Sequence, residues 1–315
     1  MAVTPDQVLK ELSELWESLG KEGRAEPVPG VLRACCMTLA VLAEATEDRA
    51  ALGETLAALM PEHPARTVLV WLLGKGEAEL TARVSSQCWR PFGGRQQICS
   101  EHIEITAADD ALKDLAPFAL ALAVPELPLI VWCRSPRLID RAEFWDLART
   151  ARKVILDSSQ LGEPEQALAR VARAVREGHV VGDLAWARLT RWRETLAQVF
   201  ENHDYRTLLP KVTSARIIHV PGRETSALYL RAWLRRSLDA AGARVDIQIA
   251  VADSPSVELS GEGLHLAQTA VDGPLVITVN GVSRSTNLPQ PTDYLMVREE
   301  LRILNRDPVF EDSLP

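Results

Sequence analysis

The chain has no apolar run of the roughly 18–20 residues that a membrane-spanning helix requires, so no helical span is expected. It has no Cys-x-x-Cys pair. Its five cysteines, Cys35, Cys36, Cys88, Cys99 and Cys133, are odd in number and fit neither a disulfide framework nor a zinc module. It also lacks an excess of positive charge: 35 Lys and Arg stand against 43 Asp and Glu, a net charge of −8. With a pI near 5.4, nucleic acid and anionic membrane are poor candidates for the main partner. Neither Gly-x-Gly-x-x-Gly nor Gly-x-x-x-x-Gly-Lys-Ser/Thr occurs, so no phosphate-cradling loop is signalled. The six histidines show no His-Glu-x-x-His spacing, and no Gly-x-Ser-x-Gly elbow appears. These absences lower the expectation of an enzyme and leave no catalytic, cofactor or metal residue to name. The first residues, Met1-Ala-Val-Thr-Pro-Asp, carry no basic segment followed by an apolar one. No secretory signal is therefore expected, and the expected compartment is the cytoplasm.

What is present suits a soluble globular protein of 315 residues, with 47% hydrophobic and 25% charged residues. Thr4-Pro-Asp-Gln7 reads as a capped helix start, with the helix ending at Gly20. Val31–Ala43 and Thr67–Leu73 are apolar runs of the kind buried on both faces of a central sheet. Thr46-Glu-Asp-Arg49 opens a helix reaching about Met60. Leu80, Ala82 and Val84 alternate with polar residues, Arg90–Arg95 is a turn and Ile98–Ile105 returns, which predicts an antiparallel hairpin. Cys88 and Cys99 flank the Gly93-Gly94 turn and are placed to face each other across it. Otherwise the cysteines, all in predicted strands or strand ends, read as small buried hydrophobes. Helices near 110–123, 141–150 and 164–176 alternate with strands Leu129–Cys133 and Lys153–Asp157, predicting parallel pairing. After Gly178–Gly182 the pattern changes. A strand near 216–220 and a helix near 226–240 lead into an alternating strand at 245–251. Short alternating segments around Gly261-Glu-Gly263 follow, and then an Asn280-Gly281 hairpin and a last helix near 292–305. The predicted fold is α/β: an N-terminal mixed-sheet α/β domain over 1–181, then a smaller α+β domain with an antiparallel meander over 182–315.

Asp183-Leu-Ala-Trp-Ala-Arg-Leu-Thr-Arg-Trp-Arg-Glu-Thr-Leu-Ala-Gln-Val-Phe200 is the most informative segment. Read as one amphipathic helix, it puts Trp186, Leu189, Trp192, Leu196, Val199 and Phe200 on one arc. Arg193 falls on that arc as well, which predicts a carboxylate partner such as Asp157 or Asp183, or a bound anion at a site edge. Arg188 and Arg191 fall on the opposite, polar arc and are expected to be solvated, or to form a rim contact with an acidic partner patch.

This block resembles the most characteristic block of the glucose-6-phosphate dehydrogenase assembly protein family, OpcA. Leu127-Pro-Leu-Ile-Val-Trp132 is similar to the family's Leu-Pro-x-x-x-Trp strand, and Lys153–Ser159 to its strand ending in Asp-Ser-Ser. Cys99–Ile105 is similar to a Cys-Glu-x-Ile strand, with Ser100 inserted before Glu101. The likeness covers about Val31–Phe200; beyond it only the order of elements matches. Arg191 replaces a usual proline, Ala187 a usual threonine and Cys133 a second tryptophan. The resemblance implies a non-catalytic accessory protein that binds glucose-6-phosphate dehydrogenase and promotes its assembly or activation in the oxidative pentose phosphate pathway.

The candidate interaction residues are Trp132, Arg134, Asp157, Ser158, Asp183, Trp186, Arg188, Trp192 and Arg193. Trp132-Cys-Arg134 and Asp157-Ser-Ser159 end two predicted parallel strands, where ligands of open α/β sheets gather. Alternatively, Asp157 and Ser158 cap the helix that follows. Together with the Gly222-Arg223 loop before a helix, the strand ends support an alternative function: binding of a sugar phosphate or nucleotide by an enzyme or sensor.

Overall fold

Met37-Thr-Leu-Ala-Val-Leu-Ala-Glu44 is the spine of the first half, and it is apolar on both sides because parallel strands cover both of its edges. In the computed structural model, which describes residues 3–25, 31–76, 81–91, 96–270 and 273–315, this strand is β2. The other strands of its sheet are β1 (Leu32–Arg33), β3 (Ala65–Leu72), β4 (Thr81–Trp89), β5 (Ile98–Ala107), β6 (Leu129–Cys133), β7 (Lys153–Leu156) and β8 (Val181–Asp183). Their order is β1-β5-β3-β2-β6-β7-β8, with β4 added antiparallel to β5. Val41 pairs with Leu69 on one side and Trp132 on the other. The chain builds outward from β2 in one direction through β3 and β5, then crosses to β6 and β7. The strand order therefore reverses between β2 and β6.

Several expectations are refined. The apolar run from Val31 is interrupted: β1 ends at Arg33, and Cys35 and Cys36 lie in the connection to β2. Cys36 is exposed and Cys35 half-buried, so only Cys99 and Cys133 match the expectation of buried cysteines. Cys88 and Cys99 are directly opposed in register and form a disulfide. The first helix continues past Gly20, over Pro5–Ala25, and Thr4 and Gln7 cap its start reciprocally. The helix expected near 110–123 is a 3-10 turn, Asp109–Asp114, followed by a helix over Leu115–Leu122. Residues 92–95 of the turn, Leu80 and residues 26–30 lie outside the described residues.

The described residues form two units. The first holds 1–156, 179–181 and 297–305; the second holds 157–178, 182–296 and 306–315. Within the first, buried charge is paired rather than excluded. Glu101 on β5 accepts from Arg66 Nε at 2.5 Å, Trp16 Nε1 at 2.7 Å and Arg33 Nη2 at 2.7 Å. Lys153 Nζ meets the Glu300 carboxylate at 2.7 Å and the carbonyls of Glu300 and Ile303 at 2.7 and 2.8 Å.

The second unit carries a six-stranded sheet of β9 (Val212–His219), β10 (Ile247–Val251), β11 (Ser256–Gly261), β12 (Leu264–Ala270), β13 (Pro274–Val279) and β14 (Val282–Asn287). The order is β10-β9-β11-β12-β13-β14, parallel only between β10 and β9. The meander from β11 to β14 runs through the expected Asn280-Gly281 turn, whose two residues have φ of 49° and 85°. The helix Glu224–Ala240 packs on β9 and β10.

Candidate functional site

The expected single helix over 183–200 breaks. One turn, Leu184–Ala187, is followed by a separate helix, Thr190–Val199, with Arg188 and Leu189 between them. The break gives Asp157 to Arg188 instead of Arg193, because the angular arithmetic of one helix does not carry across it. Arg188 turns inward and takes Asp157 with both amino groups, at 2.9 and 2.5 Å. Its side chain is only 12% exposed, where the sequence suggested a solvated one. Arg193 instead lies over the Trp186 ring, 3.5 Å from its centroid, and its Nη2 is 3.4 Å from Thr190 Oγ1. Arg191 is exposed as expected and pairs with Glu194.

Two carboxylates organise this part of the second unit. Asp157 follows β7 and caps a 3-10 turn, Ser158–Gln160, rather than the longer helix, which starts at Pro164. Its Oδ1 accepts from Ser159 N and Ser159 Oγ at 3.1 and 2.6 Å. Asp183 is fully buried and caps the turn Leu184–Ala187. Its Oδ1 accepts from Ala185 N at 2.9 Å and Ser158 N at 3.0 Å, and its Oδ2 from the Tyr229 hydroxyl at 2.7 Å. Burial, reinforced by the nearby charge of Asp157, pushes the Asp183 carboxyl up to about 6. Burial also acts to raise Asp157, but the hydrogen bonds and charge of Arg188, with the bonds from Ser159, hold it below the usual carboxylate range. Two acids a few residues from one another in space thus differ in their ease of ionisation because only one has an arginine.

Around them packs an aromatic group. Trp186 meets Tyr229 at 5.7 Å and Phe310 at 5.8 Å, and Tyr229 meets Phe310 at 5.8 Å. Ser226 Oγ donates to Ala185 O at 3.0 Å, and Gln268 Nε2 to Trp192 O at 3.1 Å. Trp186 is buried and Trp192 half-buried. Tyr229 and Phe310 were not singled out in the sequence. Tyr229 lies 46 positions from its carboxylate partner, and no local spacing signals that contact. Arg223 precedes the helix Glu224–Ala240 and is half-buried with no ion pair among the described residues. Burial and then the charge of Arg188 push its guanidinium down.

Trp132 and Arg134 belong to the first unit, apart from the unit that holds Asp157 and Ser158. Arg134 lies 4.7 Å over the Trp132 ring and donates to Glu47 at 2.7 Å. Beside it, Arg137 bridges Glu44 at 2.7 Å and Asp109 at 2.5 Å, and Ser135 Oγ donates to Glu44. Apart from Asp109, which follows β5, these side chains sit at the carboxyl ends of β2 and β6 or just beyond, where the strand order reverses. That is the position at which open α/β sheets bind phosphates. Here the helix following β2 has Asp48 at its cap, accepting from Ala50 N and Ala51 N. A carboxylate thus already fills the anion position at that helix start. Cys133 is buried in the same region and its thiol is pushed up to about 12 by burial, which makes it unreactive. No group of three or more His, Cys, Asp or Glu fit to hold a metal occurs among the described residues, and no described helix is long and apolar enough to cross a membrane.

The two units therefore define an α/β protein whose conspicuous polar clusters are built from internally paired charges. Two family models match it in order: the glucose-6-phosphate dehydrogenase subunit N-terminal domain over residues 57–173 and the corresponding C-terminal domain over 179–314. The chain belongs to this family, the OpcA-type glucose-6-phosphate dehydrogenase assembly proteins. Curated relatives named as OxPP cycle protein OpcA come from Synechocystis sp. and Nostoc punctiforme. The first is 27% identical over 190 residues, covering 59% of this chain and 39% of that protein. The second is 27% identical over 178 residues, covering 56% and 38%. The chain thus spans about two fifths of the length of the curated relatives it matches. Among solved structures, an oxidoreductase from Thermotoga maritima is similar with a TM-score of 0.48 and 10% identity, over 84% of this chain and 86% of that one.

Proposed function

We propose that this chain is a non-catalytic accessory protein of the cytoplasm. It binds glucose-6-phosphate dehydrogenase and promotes that enzyme's assembly or allosteric activation in the oxidative pentose phosphate pathway. The observation that carries this reading is the pair of family models matched in order over 57–314. The ion pairs at the strand-order reversal support it. Glu44, Glu47 and Asp48 place three acidic residues where a bound phosphate would need donors. A chain of this kind acts by binding one state of its partner better than another.

Within this reading the candidate residues divide into two groups. Asp157, Ser158, Asp183, Arg188 and Trp186 hold the second unit together, as Trp132 and Arg134 do the first. Trp192 and Arg193, half-buried on the helix Thr190–Val199, are the ones offered to the partner. The test is to add the chain to glucose-6-phosphate dehydrogenase and follow activity and sedimentation together. A coupling of about 1–3 kcal/mol corresponds to roughly 5- to 150-fold activation. No change in either at micromolar concentration would overturn the reading.

A second reading rests on Arg223. It lacks an ion pair among the described residues and stands beside Arg188 at the start of a 17-residue helix, as a site for a sugar phosphate or nucleotide would require. Thermal shift with phosphorylated metabolites tests it. Stabilisation lost in Arg223→Ala favours it, and a flat panel removes it.

A further inference from the structure

The six-stranded sheet of the second unit has two unlike faces. On one, Ala215, Ile217, Val257, Leu259, Leu266 and Ile277 are buried. On the other, the register fixes a row that crosses every strand: Gln248, Arg216, Glu258, Ala267, Thr278 and Ser283. Residues two positions along each strand share this face, and the next row, Ala250, Ile218, Ser256, Thr269, Val276 and Ser285, is made mostly of small side chains. Arg216, Gln248 and Ser283 are exposed, and Glu258, Ala267 and Thr278 are half-buried. Arg216 and Glu258 are the only charged residues in the two rows. They are directly opposed across β9 and β11. Nevertheless no ion pair joins them, and Arg216 has none with any described residue; Glu258 is held instead by Ser256 Oγ at 3.4 Å.

We infer that this face docks a second copy of the chain about a two-fold axis running along the strands between β9 and β11. Charge complementarity selects this occupant and this axis. A two-fold contact is self-complementary: if residue i meets j, then j meets i. Rotation about that axis places β9 of one copy over β11 of the other. Because Arg216 and Glu258 are register partners, each arginine then lies over Glu258 of the partner subunit, giving two equivalent ion pairs. An in-plane axis perpendicular to the strands would instead stack arginine on arginine and glutamate on glutamate. Small Ser, Thr and Ala side chains let two sheets approach to the roughly 10 Å typical of stacked sheets, a distance that an arginine and a glutamate can span together.

The overlap takes in β10, β9, β11 and β12. Four strands about 4.8 Å apart and about five residues long cover on the order of 350 Å² per copy. That is below the roughly 800 Å² per partner of a stable complex. The dimer is therefore of the weak, reversible class, to be sought between roughly micromolar and millimolar concentration. This inference does not depend on the proposed function and survives its failure.

Sedimentation equilibrium of the full chain across that concentration range tests it, using Arg216→Glu, Glu258→Arg and their equimolar mixture. The wild type should show a concentration-dependent rise toward twice its mass. Each single variant faces like charge against like charge, and should self-associate at least about tenfold more weakly. The mixture should recover the dimer, because one copy then offers two glutamates and the other two arginines. Recovery in the mixture cannot come from repair of either fold, since each chain is unchanged; thermal unfolding of each variant confirms that it is folded. A wild type that stays monomeric, variants that dimerise like the wild type, or a mixture that does not recover would each overturn the inference.

Discussion

Asp183→Asn separates the two acids of the second unit by pH. The folded chain holds the Asp183 proton up to about pH 6, whereas the unfolded value is 3.8. Between these values the folded state binds more protons than the unfolded one, so this group's contribution to stability falls as pH rises. The full loss is about 3 kcal/mol, of which about 2 kcal/mol falls between about pH 4.5 and about pH 7.5. Asn keeps an acceptor oxygen for Ser158 N and Ala185 N, and the Tyr229 hydroxyl can accept from its amide. It carries no charge to bury. The stability of the Asn variant relative to wild type should therefore improve by about 2 kcal/mol across that window, measured by urea unfolding at both pH values. Asp157 has the opposite sign, because Arg188 holds it low. Its contribution is present above the unfolded value and is lost as pH falls through the folded one. Parallel wild-type and variant curves, or a variant that loses ground as pH rises, would refute the assignment of a costly buried charge to Asp183.

Other outcomes follow from the same geometry. Arg188→Met leaves Asp157 without its cation and should destabilise by about 3–5 kcal/mol, whereas Arg193→Met removes a contact with the Trp186 ring and should cost about 1 kcal/mol; chemical denaturation ranks the two. Lys153→Met strands the buried Glu300 and should cost about 3–5 kcal/mol, most of it recovered in Lys153→Met with Glu300→Met. Cys88→Ser opens the disulfide to Cys99, 11 residues away, and should lower stability by about 3 kcal/mol under oxidising conditions, with no further effect of reductant.

Where one residue type repeats along one element, the sequence was readable. The apolar run of β2, the Asn280-Gly281 turn and the Thr4/Gln7 cap each rest on local rules, and each is found. The opposition of Cys88 and Cys99 followed from their places on either side of a turn, but their disulfide did not. The site was less legible. Arg188 rather than Arg193 takes Asp157 because the helix breaks at Leu189, and nothing in the run Ala187-Arg-Leu-Thr190 marks the break: no Gly or Pro stands there. Tyr229, Phe310 and the Glu44–Arg137–Asp109 bridge join distant segments, and their partners emerge only once the strands are in order.

As proposed, the chain acts on glucose-6-phosphate dehydrogenase without chemistry of its own. The most direct measurement titrates the chain into that enzyme while following its rate and sedimentation coefficient in the same samples. The expected result is a saturable rise in rate, roughly 5- to 150-fold at its upper range, together with a heavier species, and no dehydrogenase activity from the chain alone. An unchanged rate and an unchanged sedimentation coefficient at saturating concentration would contradict it.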